Sequence, residues 1–212
     1  MSVFEAERTA DVEKLVELLQ TSESVEVRRH VADTLGEIDD PAGTVIDCLI
    51  DAALEDPDVS VRAVAVDALD EIGAEATEQF LVEMAGLDVD PAAATWSRVE
   101  AFADTLDAER PEIRMASASA LGRSDDPAGV PPLLDRLDDP DPRVRARIVR
   151  ACGRLADQRC ATPLGDLADD DQAVVRHEVA EALGSLDGDE PRTTLQSLAT
   201  DSSVSVRRAA VS

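Results

Sequence analysis

The sequence predicts an all-α fold, an α-solenoid of antiparallel helical hairpins, and three observations carry the prediction. A stretch opening on Val-Arg or Ile-Arg recurs along the chain, its apolar residues fall on one helical face, and second amphipathic segments lie between the copies. The copies read VRRHVADTLGEI from Val27, VRAVAVDALDEI from Val61, IRMASASALG from Ile113, VRARIVRACGRL from Val144, VRHEVAEALGSL from Val175 and VRRAAVS from Val206. Their first residues lie 34, 52, 31, 31 and 31 positions apart, a period near 31 with one insertion of about 21 residues after the second copy. Val144, Ile148, Val149, Cys152 and Leu155 show the spacing, which follows the 3.6-residue turn of a helix and not the alternation of a strand.

Taken in order, residues 1–212 read as one repeat domain. Residues 1–22 hold a capping helix, over 5–20 with the run VEKLVELLQ, that covers the first repeat's open face as the terminal unit of a repeat array must. Regular repeats fill 23–74 and 110–212, with second helices predicted over 42–54, 76–87, 129–138, 161–168 and 191–199. Start signals precede the motif helices. Asp141 can accept from free N–H groups while Pro142 sits at the first helical position, and Asp58 and Ser203 suit the same capping role. Gly36, Gly122, Gly153 and Gly184 recur inside the motif helices, with Asp70 departing from the rule in the second. Glycine costs a helix up to ~1 kcal/mol relative to Ala, so a closely approaching neighbour is expected there. Residues 75–109 form an irregular repeat with an inserted helix from about Pro91 to Leu106, its Trp96, Val99, Ala103 and Leu106 at helical spacing.

The charge is unusual. Asp plus Glu number 46 against 20 Lys plus Arg, a formal net of −26, and Lys14 is the only lysine. The Debye length is roughly 8 Å at physiological salt and roughly 3 Å at 1 M, so such a surface suits molar salt, and the composition resembles that of haloarchaeal proteins. The first residues, MSVFEAERTADVEK, are acidic without an apolar core, and no apolar run approaches the ~18 residues of a membrane span. A cytoplasmic protein with no membrane contact is expected. Cys48, Cys152 and Cys160 fit neither a disulfide framework nor a paired zinc motif and read as buried thiols.

The stretches DPDPRVRARIVRACGRLADQRCATPLGDLADD and DQAVVRHEVAEALGSLDGDEPRTTLQSLATD resemble the short HEAT-like repeats of phycobilin lyases. The resemblance covers 24–212 apart from the insertion. It implies a right-handed stack in which Arg28, Arg62, Arg114, Arg145, Arg176 and Arg207 tie to acidic groups of adjacent repeats in an internal ladder.

His177-Glu178 is similar to the His-Glu pairs with which deoxyhypusine hydroxylases, also HEAT-like, hold two irons. That chemistry needs several such pairs, and the other histidine, His30, precedes Val31. No dedicated bilin pocket, phosphate loop or nucleophile elbow is evident, so no cofactor and no catalysis are expected. The predicted function is a protein-binding scaffold. The alternative is a HEAT-like metal or bilin enzyme.

Two irregularities mark where a partner would bind. Arg143, Arg147, Arg150 and Arg154 are spaced four, three and four apart, on one helical face away from the Val144–Cys152 core face. Arg grips carboxylates bidentately, so this stripe suits an acidic helix or tail; the competing reading pairs it with nearby Asp138, Asp139, Asp141 and Asp157. The acidic surface and the salt dependence of phosphate contacts favour an acidic protein segment over nucleic acid as the partner, and no nucleic acid is expected. Trp96 and Phe102 in the insertion are candidate interface anchors, with packing onto the flanking repeats as the competing reading.

Overall fold

The computed structural model describes residues 11–87 and 95–212, with the side chains of Thr95 and Trp96 left aside. Among the described residues there are thirteen α-helices, short 3-10 turns and no strand, and no helix is long and apolar enough to cross a membrane. The chain divides into two compact units, Met1–Glu83 and Met84–Ser212. Their boundary falls in the segment where the sequence period is interrupted.

In the first unit α1 (Val12–Thr21), α2 (Val25–Gly36), α3 (Gly43–Glu55), α4 (Val59–Ile72) and α5 (Ala74–Ala85) follow one another as hairpins. α1 starts where Asp11 accepts from the Lys14 N–H at 3.0 Å, and its Leu15 and Leu19 are buried against the first hairpin, the covering role predicted for it. The first part of the predicted capping helix lies outside the described residues. α2 packs on α4, and Leu35, Leu49, Leu69 and Phe80 fill the space between the helices. Gln79 on α5 reaches Asp47 on α3 at 3.2 Å.

The second unit opens with α6 (Thr95–Asp104), which packs on α7 (Pro111–Gly122). The predicted inserted helix is therefore present over its later part, and Pro91 lies outside the described residues. α9 (Pro142–Leu155), α11 (Ala173–Gly184) and α13 (Val204–Ala209) then stack in succession on α7 as one layer. α8 (Val130–Leu134), α10 (Ala161–Asp166) and α12 (Asp189–Leu198) form the second helices. α8 and α10 are shorter than the sequence predicts. After each the chain tightens into bonds three residues back, from the N–H of Asp139 to Arg136, of Asp170 to Leu167 and, after α12, of Asp201 to Leu198. Each tightening delivers an aspartate to the same structural position.

The caps at Asp58 and Asp141 accept from Ser60 and Arg143 N–H groups as predicted, at 2.8 and 2.9 Å. Ser203 occupies its N-cap position without a capping bond; its hydroxyl pairs with Ser205 instead. The close approach expected at the helical glycines is present at three of four. A methyl on Gly36, Gly122 or Gly153 would lie 2.7 to 2.9 Å from Ala68, Ala151 or Ala182 of the next motif helix, whereas one on Gly184 would meet nothing within 4 Å.

Candidate protein-interaction surface

The aspartates delivered by the tightened turns complete a ladder. Arg114, Arg145 and Arg176 each close a two-point fork, through Nε and Nη2, on the aspartate 25 residues later: Asp139 at 2.7 and 2.9 Å, Asp170 at 2.8 and 3.0 Å, Asp201 at 2.7 and 3.1 Å. Each of these arginines also donates through Nη1 to the backbone carbonyl six residues before it, from Ala108, Asp139 and Asp170. Asp139 and Asp170 thus serve two rungs, by side chain to one arginine and by backbone to the next. Each aspartate also accepts an N–H two residues on, from Asp141, Gln172 or Ser203, which turns the chain into the following helix. In the first unit Arg28 forks onto Asp56 at 2.6 and 3.0 Å, and the Asp56 carbonyl accepts from Arg62 at 2.9 Å. Arg207 repeats the carbonyl half on Asp201 and Ser202. The implied tie to an acidic group is present for Arg28, Arg114, Arg145 and Arg176, while Arg62 and Arg207 are seen on backbone carbonyls. Hydrogen bonds from Arg176 hold the Asp201 carboxyl down to about 2. For Asp170 burial acts upward and is outweighed by Arg145 and the Gln172 N–H, so its carboxyl lies below the usual range.

The arginine stripe of α9 sits on the layer formed by α7, α9, α11 and α13, and the stack alters it. Arg147 is 4% exposed and donates through Nη1 to the Ser119 hydroxyl of α7 at 2.9 Å, so it is not a surface contact. Burial, and then the nearby Arg150 and Arg154, push its guanidinium down to about 9. Arg150 forks onto Glu178 of α11 at 3.0 and 2.6 Å. Arg143 folds back on its own cap, Asp141, with Nε at 3.0 Å. The physical reason is shared. At the α7–α9 and α9–α11 interfaces the third position after the motif Val faces the sixth position of the preceding motif helix, so Arg147 meets Ser119 and Glu178 meets Arg150, each 28 residues apart. Spacing within one helix could not show this; the period of 31 less three residues would have.

Arg154 stays exposed and, with Arg150, Glu178, Glu181 and Ser185, lines a shallow groove of 190 Å³ between α9 and α11. Of the four arginines, Arg154 and the 41%-exposed Arg150 side chain remain presented to solvent at its rim, and Arg143 is partly covered.

Phe102 is 2% exposed, with Val99 and Leu106 buried beside it, and so is core and not an interface anchor. The hydroxyl of Thr105 bonds the Phe102 carbonyl at 2.8 Å and meets the Ser117 hydroxyl at 2.6 Å, fixing the end of α6 to α7. The Trp96 side chain lies outside the described residues.

His177 is half-buried, and Glu178, the other member of the predicted metal-like pair, has both carboxylate oxygens on Arg150. A carboxylate held in that fork does not fit the ligand set of a di-iron centre. Among the described residues no group of three His, Cys, Asp or Glu side chains is placed to hold a metal.

The comparisons with known proteins agree with this architecture. The HEAT repeat family matches residues 12–99 and 130–212, and the PBS lyase HEAT-like repeat matches 113–139. A HEAT repeat-containing taxis protein of Halobacterium salinarum is 49% identical over 125 residues, 57% of this chain and 29% of that protein, so the chain spans less than a third of this relative's length. Human deoxyhypusine hydroxylase in complex with glycerol shares the fold with a TM-score of 0.55 at 21% identity, over 99% of this chain and 89% of that one. The complex of CpcE and CpcF of phycocyanin lyase from Nostoc sp. PCC7120 does so at 0.54 and 18%, over 94% and 74%. Motif helices, ladder and family match together establish that the chain belongs to the HEAT repeat family.

Proposed function

We propose that the chain is a non-catalytic protein-binding scaffold of a haloarchaeal taxis system, acting in the cytoplasm, and that it holds an acidic helix or tail on the α9–α11 groove of its second unit. The observation that carries the taxis reading is the 125-residue stretch 49% identical to the Halobacterium taxis protein. The repeat architecture supports the scaffold reading, because a stack of hairpins offers the same helix layer again and again as a continuous surface.

The exposed Arg154 at the groove rim supports the choice of an acidic segment. A guanidinium fork on a carboxylate is a contact-range interaction, so it persists in salt that screens long-range attraction. The engagement of Glu178 by Arg150 weighs against a deoxyhypusine hydroxylase-like activity.

Two measurements test the reading. Deleting the gene in its host is expected to shrink taxis rings on semi-solid agar at unchanged growth rate, and full-sized rings reject the taxis assignment. Cross-linking in molar KCl is expected to join a partner to the chain, and Arg154→Ser to reduce that product several-fold; an unchanged yield rejects the groove. Iron bound one-to-one or better in the purified chain would favour the metal-enzyme reading instead.

A further inference from the structure

The second helices carry an open groove that the α9–α11 seam does not use. It lies between the turn after α8 and α10 with the turn that follows it, and measures 410 Å³. Leu137, Pro163 and Leu167 line it and are only half-buried, whereas the neighbouring Leu133 and Leu164 are fully buried in the core. Asp138 and Asp166 line it as well, and both are exposed. Among the described residues the one cation in its lining is Arg145, whose guanidinium is already matched by its fork on Asp170 at 2.8 and 3.0 Å. The groove therefore presents apolar surface together with unmatched negative charge. The first unit has a counterpart of 460 Å³ beside the Arg28–Asp56 rung, with exposed Asp51 and Glu55. Its leucine, Leu19, is buried, and Gln20 and Ser22 bring polar groups into the lining. The two grooves share the acids and differ in the apolar surface.

We propose that the α8–α10 groove docks a basic amphipathic helix of another protein, its apolar side chains packing on Leu137, Pro163 and Leu167 and its Arg or Lys heads meeting Asp138 and Asp166. Charge decides the occupant. Asp138 and Asp166 disfavour an acidic segment, a nucleic acid and an anionic bilayer surface alike, and a second copy of this chain, at net −26, is repelled as well. In molar salt the Debye length is roughly 3 Å, so only pairs in contact keep their attraction, and the apolar contacts are not screened. The leucines therefore supply most of the affinity and the aspartates select the sign of the partner. This groove lies on the second helices, whereas the α9–α11 groove lies on the motif helices, so the two readings stand or fall separately.

The test uses the full chain in molar KCl and a fluorescein-labelled synthetic helix with a leucine face and an arginine face, titrated by fluorescence anisotropy. Saturable one-to-one binding is expected. Leu137→Ser combined with Leu167→Ser should weaken it roughly ten-fold, because the apolar contact is lost. Asp138→Asn combined with Asp166→Asn should weaken it several-fold. Asp51→Asn combined with Glu55→Gln removes the same amount of charge from the first unit and should leave the affinity unchanged. Equal losses from the two acid pairs would reduce the binding to net charge and overturn the proposal. So would unchanged affinity in the leucine pair, equally tight binding of a peptide with serine in place of leucine, or no saturable binding. None of the four acids forms a rung of the ladder, so the acid pairs decide even if the leucine variant does not fold.

Discussion

Gly122 and Gly184 occupy the same place in their helices and have opposite surroundings. A methyl on Gly122 would sit 2.7 Å from the Ala151 Cα and 2.8 Å from its Cβ, whereas Gly184 has open space. Overpacking costs about 1 to 3 kcal/mol and helix propensity returns at most ~1 kcal/mol, so Gly122→Ala is expected to destabilise the protein by about 1 to 2 kcal/mol. In the chain of these 212 residues Gly184→Ala meets no clash, and it is expected to stabilise that chain by up to ~1 kcal/mol. Thermal melts of both variants in molar salt decide; shifts of the same sign would show that the glycines are not there for close approach. The recurrence of these glycines was legible in the sequence, and so was their cause. Gly36, Gly122 and Gly153 each face the alanine seven residues after the next motif valine, Ala68, Ala151 and Ala182, whereas for Gly184 the position seven after Val206 lies past the 212 residues of the sequence. The arginine stripe shows the limit of such reading. Four, three, four spacing is correct for one helix, but the adjacent helices decide that Arg147 is buried on Ser119 and that Arg150 is committed to Glu178. Phe102 likewise reads as core only once α6 is seen against α7.

At the scale of elements, the aspartate that follows each second helix completes the ladder, whether that helix is short, as α8 and α10, or long, as α3. Family resemblance implied that the motif arginines tie repeats together; which acid each one takes was hidden, because Asp138, Asp139 and Asp141 look alike in sequence. The tightened turn after α8 selects Asp139, and its counterparts select Asp170 and Asp201. Asp170 offers the cleanest test. Its side chain holds Arg145 and the Gln172 N–H, while the carbonyl that serves Arg176 survives substitution. Removing one partner of a mostly buried pair leaves the other charge uncompensated, so Asp170→Ala is expected to cost about 3 kcal/mol near neutral pH, the low end for such pairs. Its folded carboxyl lies below the unfolded value of about 3.9, so its contribution is present above pH ~4 and is lost as pH falls through the folded value. The stability difference between parent and variant should therefore be constant from neutral pH down to about 4 and shrink below it. A difference that persists undiminished in acid, measured by denaturation at matched salt, would mean that the rung does not depend on the carboxylate charge.

Across the whole molecule, the ladder and the helix seam change what the net charge of −26 means. Arg28, Arg114, Arg145, Arg147 and Arg176 turn their guanidiniums inward onto aspartates, carbonyls or Ser119, which withdraws cations from the surface. Exposed acids such as Glu13, Glu17, Asp47, Asp51, Glu55, Glu75 and Glu83 remain on the outside of the first unit, where Lys14 is paired to Glu17 at 2.7 Å. The solvent-facing surface is thus more uniformly acidic than composition alone indicates, although that composition already pointed to molar salt. Buried pairs are screened little by ions, and exposed like charges are screened strongly once the Debye length falls from roughly 8 Å toward 3 Å. Salt dependence should therefore come from surface repulsion and leave the ladder's own contribution nearly unchanged. On dialysis from molar KCl to about 0.1 M, where the Debye length is roughly 10 Å, helical circular dichroism and the melting midpoint are expected to fall in the parent and in Asp170→Ala by similar amounts. Unchanged helicity in low salt would reject surface repulsion as the limit on stability, and a much smaller fall in the variant would place the salt effect in the rungs instead.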